Sequence, residues 1–224
     1  MAYSFDDLKN ACAADWQAYI QHDFVRRLGT GTLEPGAFRY YLQQDYLFLQ
    51  HFARAYALAI YKSRNMADLR QAFDGLKAIV DTELTLHVDY CRQWGISDHD
   101  LARLPEDRAT MAYTRYVLDA GNRGDLLDMH VALAPCLVGY GEIANMLNSE
   151  STTVRADNPY DAWIAMYESD AFQSAMHSEI EWLDERLAGV TEQRFEELVG
   201  IFRDATLLEI DFWQMGLDWR SRSH

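Results

Sequence analysis

Cys136 sits at the centre of an apolar helical stripe. Between residues 125 and 148, Leu126, Met129, Leu133, Cys136, Tyr140, Ile143 and Leu147 recur at three-four spacing, which puts them on one helix face. A thiolate there could attack an electron-poor carbon, given a group to move its proton. Two carboxylates interrupt similar stripes. Glu209 lies within Phe195, Leu198, Phe202, Ala205, Phe212 and Gly216, and Asp45 lies within Phe38, Tyr41, Phe48 and Phe52. A carboxylate in such a seam costs on the order of several kcal/mol unless it is paired or neutralised. A fourth stripe, Leu69, Phe73, Leu76, Val80, Glu83, His87, Tyr90 and Trp94, places Glu83 one turn before His87.

Each feature also has a plain structural explanation. A buried cysteine packs as a small hydrophobe. A buried acid can pair with an arginine or cap a broken helix, and Glu83 with His87 can be a hydrogen-bonded pair or a slightly inset exposed one. Tyrosine-rich stripes often only pack. Together they say more. Three helices each turn one reactive or ionisable side chain inward, as an active site in a helical bundle requires.

The elements that must hold these residues are all helical. No alternating strand pattern with hairpin turns occurs, so the expectation is all-α. Periodicity predicts helices near 4–28, 34–62, 66–94, 108–120, 125–148, 160–167, 170–188 and 192–219. Ser4 with Asp7 resembles a capping box, and Thr191 before Glu192 is a second start signal. Gly29, Gly95, Gly121 and Gly189 read as C-terminal caps. Pro135, one of four prolines, removes a hydrogen bond to the Val131 carbonyl and predicts a kink beside Cys136. Gly139 and Gly141 thin the helix just beyond it. No repeat or convincing linker appears, so residues 1–224 are expected to form a single helical domain.

Composition narrows the function. The chain has 224 residues, 49% of them hydrophobic, which is enough for a core without staples. Its 20 basic and 35 acidic residues leave a formal charge of −15, which argues against nucleic acid or an anionic membrane as partner. Cys12, Cys91 and Cys136 show no metal-type or disulfide-framework spacing. The N-terminus has no signal pattern, and no apolar run approaches about 18 residues, so no membrane segment is expected. A soluble, cytoplasmic protein is the expectation.

At these residues the sequence resembles the TenA family, also called thiaminase II or aminopyrimidine aminohydrolase. The matching segments are YYLQQDYLFLQHFARAYA around Asp45, LAPCLVGYGEIA around Cys136, WIAMYESDAF around Tyr167 and LLEIDFWQMG around Glu209. The resemblance covers essentially the whole chain and implies a heme-oxygenase-like bundle, a homotetramer, and no metal or organic cofactor. It implies Cys136 as nucleophile, Glu209 as buried acid/base and Asp45 as the group that bonds the edge of a pyrimidine. Tyr113, Tyr140 and Tyr167 would line the pocket. Phe48 departs from the tyrosine that some relatives carry, which bears on rate or substrate preference. The implied reaction is hydrolysis of 4-amino-5-aminomethyl-2-methylpyrimidine, or of thiamine, to the hydroxymethyl pyrimidine. Aromatic walls suit a flat ring, and carboxylates suit its N–H edge.

Two other readings remain at this stage. One is a metal-dependent oxygenase on the same fold, with Asp45, Glu83, His87, Glu142 and Glu209 as ligands, although di-iron bundles favour Glu-x-x-His and this chain has Glu-x-x-x-His once. The other is a regulator acting indirectly, since the charge disfavours DNA contact. None of His22, His51, His87, His99, His130, His177 and His224 can be argued as a heme ligand from the sequence.

Overall fold

The computed structural model describes residues 2–222; His224 lies outside them. Every regular element among the described residues is helical, as expected. In chain order they are α1 (Phe5–Ala11), α2 (Ala13–Ile20), α3 (Asp23–Gly29), α4 (Pro35–Lys62), α5 (Met66–Lys77), a π-helical turn (Ala78–Glu83), α6 (Leu84–Gln93), α7 (Asp98–Leu101) and α8 (Arg108–Arg123). There follow α9 (Leu126–Ala134), a second π turn (Pro135–Gly139), α10 (Tyr140–Ser149), α11 (Asp161–Glu168), α12 (Asp170–Leu187), α13 (Glu192–Leu217) and α14 (Trp219–Arg222). The chain divides into two compact units built from separated stretches. Unit one is Met1–Leu33 with His130–Trp213, and unit two is Glu34–Met129 with Gln214–His224.

Unit one starts at the predicted capping box. Ser4 Oγ accepts from the Asp7 amide at 3.3 Å, and Asp7 Oδ2 accepts from the Ser4 amide at 2.8 Å. The Phe5 amide donates to Asp184 Oδ1 at 2.7 Å, tying α1 to α12. Phe5, Trp16 and Phe202 then pack as a trio, with ring centroids 5.2–6.4 Å apart. Thr191 Oγ1 accepts from the Arg194 amide at 3.3 Å, which makes it the expected cap of α13.

Unit two is organised around α4, which packs on α5, α6 and α8. Pro35 at its first turn fits a position that needs no N–H. Buried Gln44 accepts from the Asp107 amide at 2.9 Å and from Thr110 Oγ1 at 2.7 Å, and donates to the Pro105 carbonyl at 3.0 Å. Asp107 caps α8 through the Ala109 amide and takes the Tyr40 hydroxyl and the Arg222 guanidinium.

Three expectations need correction. The helix predicted over 4–28 is three helices, because Cys12 and Gln21 leave helical geometry and His22 Nδ1 accepts from the Phe24 amide at 3.3 Å as a new cap. In the 66–94 segment the π turn shifts the register. Phe73 and Val80 face out at 53% and 46% exposure, while Ala72, Ile79, His87 and Cys91 face in. Gly121 lies inside α8, where a Cβ would crowd Met129 and Leu58; Gly95, with φ 72°, is a true helix-ending glycine. The segment Leu126–Ser149 holds an 18-residue window of mean hydropathy 1.2, which by length and composition alone would suffice to cross a membrane. That window is 72% buried inside the protein, which is the burial of a core helix, and the expectation of no membrane segment is not overturned.

Candidate active site

Unit one carries the thiol. Cys136 is the second residue of the π turn that opens at Pro135, so the expected kink takes the form of a widened turn. Proline cannot donate the usual helical bond, and a π turn redistributes the carbonyls that would have received one. The Tyr19 hydroxyl donates to the Pro135 carbonyl at 2.9 Å. It can approach because residue 139 is glycine: a Cβ there would overlap the Tyr19 ring. Cys136 is 8% exposed, and its sulfhydryl donates to the Leu133 carbonyl at 3.0 Å, so this geometry is that of the neutral thiol.

One turn on, Tyr140 opens α10 within an aromatic group. Its ring centroid lies 5.0 Å from Tyr167, 5.3 Å from Trp213 and 5.8 Å from Trp163. Trp163 and Tyr167 are 4.6 Å apart, and Phe172 meets Tyr167 edge-on at 4.8 Å. Tyr167 remains half-buried while Tyr140, Trp163 and Trp213 are buried. Glu209 is 1% exposed on α13, one turn before Trp213, so its carboxylate belongs to the predicted buried stripe.

Unit two carries the other acid. Asp45 is 5% exposed on α4 and is hydrogen-bonded by Tyr41. Burial pushes its pKa up to about 7, against the pull of Tyr41. His87 Nδ1 lies 3.5 Å from Asp45 Oδ2, and its Nε2 lies 2.8 Å from the Leu42 carbonyl. Burial lowers the pKa of His87 to about 4, against that backbone bond. Glu83, at the end of the π turn, is only part-buried by area, yet loss of water and then the charge of Asp45 push it to about 7. Phe48 and Tyr113 are both buried, with ring centroids 5.0 Å apart.

Of the residues singled out from sequence, Tyr140 joins Tyr167, Phe48 joins Tyr113, and Asp45 joins Glu83 and His87. Trp163, Trp213 and Tyr19 were missed. Trp213 stands inside the segment quoted around Glu209, so that signal was present; Tyr19 is 116 residues from its carbonyl partner and has no local signature. The oxygenase ligand set loses Glu142, which is committed to Lys9 Nζ at 2.7 Å and Trp16 Nε1 at 2.9 Å. Among the described residues, no group of three His, Cys, Asp or Glu side chains is placed to hold a metal ion.

The helical path is that of the heme-oxygenase-like class. A domain of this fold from Shewanella denitrificans superposes with a TM-score of 0.77 at 15% identity, over 99% of this chain and 94% of that one. Within that class, residues 10–219 match the TENA/THI-4/PQQC family, and the chain belongs to it. A protein from Silicibacter sp. TM1040 titled a TenA family transcription regulator is 40% identical, with a TM-score of 0.89 over 96% of this chain and 97% of its own. The aminopyrimidine aminohydrolase of Halalkalibacterium halodurans is 34% identical over 92% of this chain and 91% of its own length.

Proposed function

We propose that this chain is a thiamine-salvage hydrolase that releases 4-amino-5-hydroxymethyl-2-methylpyrimidine from the corresponding aminomethyl pyrimidine or from thiamine. The observation that carries this reading is Cys136 on a π turn, followed one turn later by an aromatic group that can hold a flat ring. Family membership and the name of the Halalkalibacterium relative support it.

The residues take these roles. Glu209 accepts the Cys136 proton, and the thiolate adds to the ring, whose nitrogen is protonated. The ring proton is the one Glu209 took from Cys136. The resulting electron-rich ring expels the group on the C5 methylene, an amine that leaves with that proton relayed back through Glu209, or from thiamine a neutral thiazole that takes none. Water adds to the exocyclic methylene, the C–S bond breaks, and the ring regains aromaticity as the thiolate leaves. The aminomethyl pyrimidine and water thus become alcohol and ammonia, and thiamine and water become alcohol, thiazole and a proton, with no oxidant consumed. Asp45 bonds the amino edge of the ring, and Phe48, Tyr113, Tyr140 and Tyr167 pack against its faces. Phe48 cannot supply a hydroxyl, so ring positioning at that residue rests on packing alone.

We place the protein in the cytoplasm as a homotetramer working without metal or organic cofactor. Met66, Phe73 and Val80, exposed at heptad spacing, support contact between copies. Sedimentation of Phe73→Glu against the parent chain checks this; assembly unchanged by the charge removes that face. The experiment for the function itself is incubation of the purified chain with each substrate, following the hydroxymethyl pyrimidine by chromatography. Release from at least one is expected, and release from neither refutes the proposal. Glu209→Gln should lower turnover by about 10²–10⁴-fold.

A further inference from the structure

Glu83 and His87 are not used by the chemistry above, yet both adjoin Asp45. The Leu42 carbonyl can only accept, so His87 Nε2 carries the ring hydrogen. The lowered basicity of this imidazole, at about 4, keeps it neutral near pH 7, so Nδ1 presents a bare lone pair. That lone pair faces Asp45 Oδ2 at 3.5 Å, slightly longer than a formed hydrogen bond. An ionised carboxylate would repel it, whereas a carboxylic acid can donate to it after a small rotation. Asp45, with its pKa near 7, is the rare aspartate for which the acid form is well populated at neutral pH. The charge of Asp45 holds the part-buried Glu83 carboxyl up, so the two neighbouring carboxyls resist joint ionisation. Two further titratable groups adjoin Asp45 in unit two: Tyr41, which bonds it, and fully buried Cys91, whose thiol is held up at about 12 by burial and then by Asp45.

We propose that His87 and Glu83 are positioning residues that fix the proton of Asp45 on Oδ2, facing His87 Nδ1, and leave Oδ1 as a pure acceptor for an amino group on a heteroaromatic ring. This rests on the reading of Asp45 as the ring-edge contact. It makes the cluster a specificity device. A 4-amino ring offers an N–H to Oδ1 and is accepted. A 4-oxo ring offers a lone pair and is repelled. Without the acceptor on His87, the acid hydrogen can turn outward and satisfy an oxo group.

The test compares two substitutions in the full chain. His87→Gln keeps a donor near the Leu42 carbonyl and loses the acceptor facing Asp45; His87→Asn keeps an amide oxygen near the Nδ1 position and loses the donor. Calorimetric binding of 4-amino-5-hydroxymethyl-2-methylpyrimidine and its 4-oxo counterpart, each variant measured one pH unit below its own Asp45 midpoint so that the acid form is present throughout, gives the preference. It should fall about tenfold in His87→Gln and stay within about threefold of the parent in His87→Asn. Equal losses in both variants, or none in His87→Gln, overturn the proposal. Carbon NMR of the labelled Asp45 carboxyl provides a readout independent of ligand. Its midpoint should fall in His87→Gln, where the neutral acid loses its acceptor, and in Glu83→Gln, where the competing charge is gone. An unmoved midpoint in both overturns the proposal even if the ring binds. If the parent binds neither ring, the ring-edge role of Asp45 fails, and the NMR midpoint still decides whether His87 and Glu83 fix its proton. Should His87→Gln not fold, Glu83→Gln carries the NMR test.

Discussion

Two buried histidine–carboxylate pairs, one in each unit, use the same chemistry to opposite ends. In unit one, His130 Nδ1 meets Glu179 Oε1 at 2.7 Å, the imidazole stacks on Trp182 at 3.9 Å, and the Arg186 guanidinium lies 3.6 Å from that indole. That pair is closed: partner, stacking surface and cation are all in place, and it holds the chain at His130 to α12. In unit two, His87 and Asp45 stand 3.5 Å apart, and the imidazole spends its hydrogen on a backbone carbonyl. That pair is open, and its acid keeps a proton near pH 7. A closed pair stabilises; an open one stores unfavourable solvation in a form that a ligand can use.

The largest expected effect attacks the closed pair. Glu179→Ala should cost about 3 kcal/mol or more in urea unfolding, because it strands a buried imidazole. Turnover per folded molecule should survive. Lost turnover with unchanged stability would erase the distinction.

Asp45→Asn should do the reverse. Asp45 holds its proton to about 7 in the folded chain but releases it near 3.8 when unfolded, so folded stability falls as pH rises through that window. Removing the group should raise stability at pH 8 by about 1–3 kcal/mol while lowering kcat/KM roughly a hundredfold. A variant less stable than the parent at pH 8 would place Asp45 in a closed pair.

Melting temperature against pH sharpens this. His87 has the opposite sign: its lowered pKa, about 4, means that stability present above 6.5 is lost as pH falls toward 4. Below about 6.5 it therefore opposes Asp45 and Glu83, whereas between about 6.5 and 7 the carboxyls act alone. The parent should lose stability across that upper interval, and Asp45→Asn should lose less. Identical slopes would contradict the assignment.

The smallest effect is Tyr19→Phe, which removes the donor to the Pro135 carbonyl and should cost about 1 kcal/mol. A change within error would mean that the π turn holds itself without Tyr19.

The stripes through Asp45 and Glu209 were legible because α4 and α13 are long, regular and apolar on one side, so a 3.6-residue period reports burial directly. The Ser4 capping box was legible for a similar reason: its partners are three residues apart. Phe73 and Val80 were misread as inward because a π turn inserts extra rotation that no spacing rule anticipates. The breaks at Cys12 and Gln21 left no proline or strong breaker to find. The difference between the two histidine pairs was invisible as well, since Glu179, Trp182 and Leu42 are brought to their histidines only by folding.

The most direct measurement of the central claim is single-turnover hydrolysis of 4-amino-5-aminomethyl-2-methylpyrimidine by the parent chain and by Cys136→Ser, with product affinity measured in parallel. The account predicts that the serine variant keeps its product affinity within a few-fold and loses about a thousandfold or more in rate, because the missing group is the nucleophile and not a binding contact. Hydrolysis at the parent rate by Cys136→Ser would contradict it.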